Sequence, residues 1–168
     1  VFGWGPGLIG VSLACYGLGV AFVQGLIIRL HYVRNIQPQK IVIFSLVVGS
    51  LTLFGFGSIK TAWLVFALIP IAVLTELMNP TLDGFISNKV SDDTQGLLQG
   101  ILSSINAITT ILSPLLMTLL FKIGASQKND CYVPGLPFYF AAILLIICIF
   151  PILRVMNTLE HAKKRKIK

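Results

Sequence analysis

Charge is scarce in this chain. Of its 168 residues only 11% are Asp, Glu, Lys or Arg, against 55% hydrophobic ones, and the mean hydropathy is +0.88. A soluble domain carries about a quarter charged residues, so a largely water-facing surface is excluded and a bilayer is implied. Acids are scarcer still, 6 against 13 Lys+Arg, for a net charge of +7. Of those bases, Arg154, Lys163, Lys164, Arg165, Lys166 and Lys168 crowd the C-terminus, which makes the excess a tail and not a nucleic-acid-binding face. Three cysteines at unrelated spacings, with Cys15 and Cys148 inside apolar runs, support neither a disulfide framework nor a metal site. No cofactor is expected. His31 and His161 lie far apart, and the sequence has neither a phosphate-cradling glycine loop nor a nucleophile elbow, so enzymatic chemistry has little to stand on. No basic stretch precedes an apolar run at the start, so no signal peptide is recognisable. The Met-less opening Val1-Phe2-Gly3-Trp4 reads as the start of a fragment.

What the sequence does have is apolar runs of membrane-spanning length. Crossing roughly 30 Å of hydrocarbon at 1.5 Å per residue takes about 20 apolar residues. Segments 8–28, 41–59 and 97–121 contain no charge, and 136–153 is a shorter uncharged run bounded by Pro137 and Arg154. Segment 61–82 is the exception, because it holds Glu76, Pro70 and Pro80; such a helix is expected to face protein or water instead of lipid. The fold class expected is all-α, a polytopic membrane bundle of five helices followed by a basic cytoplasmic tail over 154–168. Basic residues orient it. One side receives Arg29, Arg34, Lys40, Lys89, Arg154 and the five bases from Lys163 onward, and the other only Lys60, Lys122 and Lys128. Retention of positive charge in the cytoplasm places the C-terminus inside and Val1 outside.

Polar residues within the spans point to function. A carboxylate at mid-depth costs at least about 2.5 kcal/mol on insertion scales, and Glu76 lies about 6 Å past the midplane at the helical rise. Asn79 shares its face one turn on. Glu76 is thus either a proton carrier whose charge is exchanged against a substrate, or half of a static ion pair with a base on another helix. In the fourth span Gln99, Ser103, Asn106 and Thr110 fall at i, i+4, i+7 and i+11, a wettable stripe that turns toward an aqueous cavity or toward another helix's hydrogen-bonding groups. Gln24 is the strongly polar side chain deep in the first span. The second and fifth spans are poorer in polar groups and read as outer, lipid-supporting helices. Before the fourth span, Ser91 is a candidate N-cap with Asp92 and Asp93 behind it; the loop is either plainly capped or a gate contact.

Several of these stretches resemble a known family. Phe2-Gly3-Trp4, Ile9-Gly10-Val11-Ser12-Leu13-Ala14 with Gln24, Trp63, Pro80, and above all Asp92-Asp93-Thr94-Gln95-Gly96-Leu97-Leu98-Gln99-Gly100 followed by Ser113-Pro114-Leu115-Leu116 look like the C-terminal half of the tetracycline-resistance drug/proton antiporters of the major facilitator superfamily. The resemblance covers nearly all of 1–168. It implies five of the six helices of one lobe, the eighth to twelfth of twelve, with the first, third and fourth spans on the cavity side. It also implies a cytoplasmic gate formed by Arg34, Lys40, Asp92, Asp93, Gln95 and Gln99.

The sequence departs from that family at three places. Val48 and Gly49 stand where tetracycline members carry an essential acid, Arg29 and Ile36 stand where the basic gating motif has glycines, and Glu76 replaces a small residue. The acidic function is therefore expected to have moved to the third span.

The function expected from residues and resemblance together is alternating-access transport of a small molecule, as proton-coupled efflux of a drug-like solute. Glu76, Asn79, Gln24, Ser103, Asn106 and Thr110 would serve the substrate path or proton coupling. The alternatives are nutrient or metabolite uptake, or a non-transporting membrane scaffold. The partners implied are the lipid bilayer, a small-molecule substrate, protons and an N-terminal lobe missing from this chain, with no nucleic acid. The location implied is a bacterial inner membrane.

Overall fold

A computed structural model describes residues 5–27, 36–59, 61–88, 90–126 and 132–166, with the side chains of 26, 27, 92 and 156–166 outside the description. Among the described residues six α-helices follow one another. Helix α1 (Pro6–Phe22) starts on a proline and runs into a single π-helical turn, Val23–Ile27. Helix α2 (Pro38–Ser58) also starts on a proline, a position where the missing N–H would have had no intrahelical partner. Then come α3 (Ala62–Thr75), α4 (Met78–Ser87), α5 (Asp92–Gly124) and α6 (Leu136–Lys166). With α3 and α4 taken together, five stretches among the described residues are long and apolar enough to cross a membrane: Pro6–Gly25, Pro38–Ser58, Ala62–Ser87, Asp93–Gly124 and Leu136–Val155. The all-α expectation holds, and no strand occurs among the described residues.

The third span is not one helix. It breaks at Glu76 and Leu77, where the backbone tightens to i→i−3 bonds, Glu76 N–H to the Val73 carbonyl at 3.1 Å and Leu77 N–H to the Leu74 carbonyl at 3.4 Å. Pro80 is the physical cause, since it has no N–H to give the carbonyl four residues back, which is that of Glu76, and its ring crowds that carbonyl. Pro70 and Pro114, by contrast, lie inside uninterrupted helices. At the far end, α6 extends as helix through most of the basic tail.

Helix α2 is the centre of the packing. It contacts α6, α3 and α4, while α1 packs on α3 and α5 on α6. Lipid tails are as apolar as leucine, so these helices are held by close approach of small residues more than by a hydrophobic drive. A Cβ on Gly49 would sit 3.3 Å from Leu145 of α6 and 3.6 Å from Thr75 of α3, and one on Gly57 would sit 2.8 Å from the Tyr139 ring. Val42 and Leu46 are fully enclosed by Met78, Leu82, Leu145, Ile149 and Ile152. A second cluster, Val23, Ile69, Val73 and Leu77, joins α1 to the third span.

The second span, expected as an outer helix, keeps Phe44, Val47, Leu51 and Phe54 exposed. Among the five it is the most buried, at 33% of its window, against 0% for the span in α5. Ser50 and Thr52 are buried and donate to the carbonyls of Val47 and Val48, so they serve as small packing residues and not as wettable ones. Ser45 is 2% exposed and its hydroxyl has no partner among the described residues.

Candidate functional site

Two spans meet through a carboxylate. The break after α3 leaves Glu76 as the residue that ends the helix, and its side chain reaches α1. The Tyr16 hydroxyl donates to Glu76 Oε1 at 2.6 Å, and Asn79 Nδ2 donates to Oε2 at 3.4 Å. Tyr16 and Glu76 are half-buried and Asn79 is exposed. The first bond is short and charge-assisted; the second, between residues three apart across the break, is long. Both donors are neutral. Among the described residues the side-chain partners of this carboxylate are thus a phenol and an amide. Such donors stabilise a carboxylate without cancelling its charge.

Glu76 and Tyr16 also line a cavity of about 270 Å³ between α1, α2, α3 and α6. Thr52 and Thr75 supply its remaining polar side chains, and Phe56 and Phe138 give it an aromatic wall. Their ring centroids are 6.0 Å apart with the planes tilted by 39°.

The other expected site residues do not all converge here. Gln24 lies in the π-helical turn and is exposed; eight residues beyond Tyr16, it is about 12 Å further along the axis. Gln99, Ser103, Asn106 and Thr110 are exposed on α5, and the cavity beside Glu76 has no α5 residue in its wall. Thr109 and Thr110 both turn their hydroxyls to the Asn106 carbonyl, so Thr110 contributes less free polarity to the stripe than its identity suggests.

Of the gate residues, Lys40 and Asp93 are exposed and Gln95 half-buried. Arg34 and the Asp92 side chain lie outside the described residues. Ser91 does precede the first residue of α5, but its hydroxyl pairs with the Thr94 hydroxyl at 3.0 Å and caps no backbone N–H. The side chain that sequence reasoning missed is Tyr16. The available signal was general: a phenol at mid-span needs a polar partner, and Glu76 needed one too.

The family model of the Major Facilitator Superfamily matches residues 1–168. The chain belongs to this superfamily. It is 27% identical to the class E tetracycline resistance protein of Escherichia coli over 146 residues, covering 86% of this chain and 36% of that protein. To the class H tetracycline resistance protein of Pasteurella multocida it is 30% identical over 148 residues, 85% of this chain and 34% of that one. It is also 26% identical over 162 residues to the Hippocampus abundant transcript-like protein 1 of Mus musculus, 87% of this chain and 31% of that protein. The chain therefore spans about a third of the length of these relatives. No solved structure matches it significantly.

Proposed function

We propose that this chain is most of one lobe of a secondary transporter, not an enzyme, that expels small, partly apolar drug-like solutes by alternating access, with Glu76 as the proton-coupling group. The observation that carries the reading is the Tyr16–Glu76 bond at 2.6 Å, a carboxylate on a broken membrane helix held across two spans by a neutral donor. A carboxylate paired to a cation would be locked. One held by a phenol and an amide keeps a net charge that a proton can neutralise when the solute leaves. The tetracycline resistance proteins among the relatives support drug efflux over nutrient uptake.

In this reading the polar face of α5, with Gln99, Ser103, Asn106 and Thr110, turns to the path between this lobe and the N-terminal one, and Gln24 and Asn79 flank it. Arg34, Lys40, Asp92, Asp93, Gln95 and Gln99 close the cytoplasmic side. The surplus of bases on the side of the tail supports a cytoplasmic C-terminus, and the bacterial relatives support a bacterial inner membrane.

The test uses the intact protein in vesicles carrying a pH gradient, with a panel of anionic, neutral and cationic apolar drugs. At least one drug is expected to accumulate only while the gradient stands, and Glu76→Gln is expected to reduce that accumulation at least about tenfold. Gradient-dependent accumulation at the original rate in Glu76→Gln would remove Glu76 from the coupling. Failure of every drug to move would remove the transport reading itself.

A further inference from the structure

The side chains around the cavity beside Glu76 sort ligands by charge, and we propose that it takes an organic ammonium, a protonated amine on a compact apolar body. The inference rests on the transporter reading above and names the class of its substrate. Four polar side chains line the roughly 270 Å³ space: Tyr16, Thr52, Thr75 and Glu76. Every hydroxyl proton among them is already committed. Tyr16 donates to Glu76 Oε1 at 2.6 Å, Thr52 to the Val48 carbonyl at 2.7 Å and Thr75 to the Ala72 carbonyl at 2.6 Å. What these groups turn to a ligand is lone pairs. The wall is therefore made of hydrogen-bond acceptors only, one of them a carboxylate, set among apolar residues.

Such a wall is asymmetric toward ligands. A carboxylate, phosphate or sulfonate entering it would find no side-chain donor and a charge of its own sign, leaving its oxygens desolvated and unpaired. A neutral alcohol has one proton to offer and no charge to gain from Glu76. An ammonium brings two or three N–H donors and a positive charge, so it can pair with Glu76 and with one or two of the hydroxyl oxygens at once. The aromatic wall points the same way, because the faces of Phe56 and Phe138 carry the negative part of the ring quadrupole and attract a cation. The cavity volume admits a body the size of one ring with a short chain, which sets the compactness of the ligand.

The test measures binding to the intact, detergent-purified protein of three probes of matched size: phenethylamine as its ammonium, phenethyl alcohol, and hydrocinnamate as the anion. The ammonium is expected to bind at least about tenfold more tightly than the alcohol, and the anion most weakly. Glu76→Gln is expected to weaken ammonium binding about 10- to 100-fold while leaving the alcohol unchanged. Phe138→Leu, which keeps the carboxylate, is expected to weaken the ammonium about 3- to 10-fold and the alcohol less, and it serves where Glu76→Gln does not fold. Equal affinity for the three probes, preference for the anion, or an ammonium affinity that neither substitution changes would overturn the proposal. Transport in vesicles separates the two readings. Glu76-dependent ammonium binding without movement across the membrane leaves this site standing and ends the transporter reading; gradient-driven movement of drugs with no preference for the ammonium does the reverse.

Discussion

Tyr16→Phe deletes one hydroxyl and leaves the ring in place. The bond lost is 2.6 Å long and ends on a carboxylate, and hydrogen bonds to charged groups contribute about 1.5–3 kcal/mol. Two effects lower that figure. Both residues are half-buried and not enclosed, and interhelical polar contacts in membranes average ~0.6 kcal/mol with a ceiling near ~1.7, because helices separated within the bilayer find other partners. Glu76 has only the Asn79 amide at 3.4 Å to fall back on among the described residues, which places this pair toward the upper end, at about 1–1.5 kcal/mol. The quantity is isolated by a double-mutant cycle of Tyr16→Phe with Glu76→Met, read from reversible unfolding of the intact protein in mixed detergent micelles. Methionine keeps the length of the side chain and removes the acceptor, so the packing terms cancel around the cycle. Additive effects, with a coupling below about 0.3 kcal/mol, would mean that the contact is incidental and that close packing holds α1 to α3, as at Gly19, where a Cβ would sit 2.8 Å from Val73.

Three further outcomes are expected. In Gly57→Ala the new Cβ lies 2.8 Å from a Tyr139 ring that is tilted against Phe54 and bonded to the Ser58 hydroxyl, so the melting temperature falls by the equivalent of about 1–3 kcal/mol; Gly10→Ala, with nothing within 4 Å, leaves it nearly unchanged. Pro80→Ala restores an N–H opposite the Glu76 carbonyl and fuses α3 with α4, raising the melting temperature while slowing transport in vesicles; turnover equal to that of the unsubstituted protein would deny the break a role. Asn106→Cys is labelled by a membrane-impermeant thiol reagent in the intact protein and Ile108→Cys, about 200° around the helix, is protected; equal protection would assign the α5 stripe to helix packing.

Span number and fold class were legible because they depend on length and apolarity alone. The segment 41–59 became Pro38–Ser58, and 97–121 became the core of Asp93–Gly124. The break in the third span was only half legible. Pro70 and Pro80 each remove one backbone donor, and the sequence does not say which of them interrupts the helix; the answer lies in the local bonds around Glu76 and Leu77. The second span was read as poor in polar groups, and the structure shows where two of its hydroxyls go: those of Ser50 and Thr52 are returned to the helix's own backbone. Of the candidate site, Glu76 and Asn79 were visible as the costly residues of their span. Tyr16 was not, because a tyrosine among glycines and leucines has no periodic pattern and becomes informative only once α1 is set against α3.

The position of Glu76 at the break has an electrostatic meaning of its own. A helix ends with about half a negative charge on its unbonded carbonyls and begins with about half a positive charge on its free N–H groups. Glu76 stands between the end of α3 and the start of α4, where these opposite half-charges lie close together and largely cancel. The backbone therefore leaves the full charge of the carboxylate nearly untouched, and its two side-chain partners among the described residues, Tyr16 and Asn79, are neutral. In the proposed cycle a mobile species neutralises it, either a proton or the ammonium of the solute. The two compete for one group, so the arrival of one favours the departure of the other. That exclusion is itself a coupling between proton and solute, and it needs no signal carried through the rest of the fold.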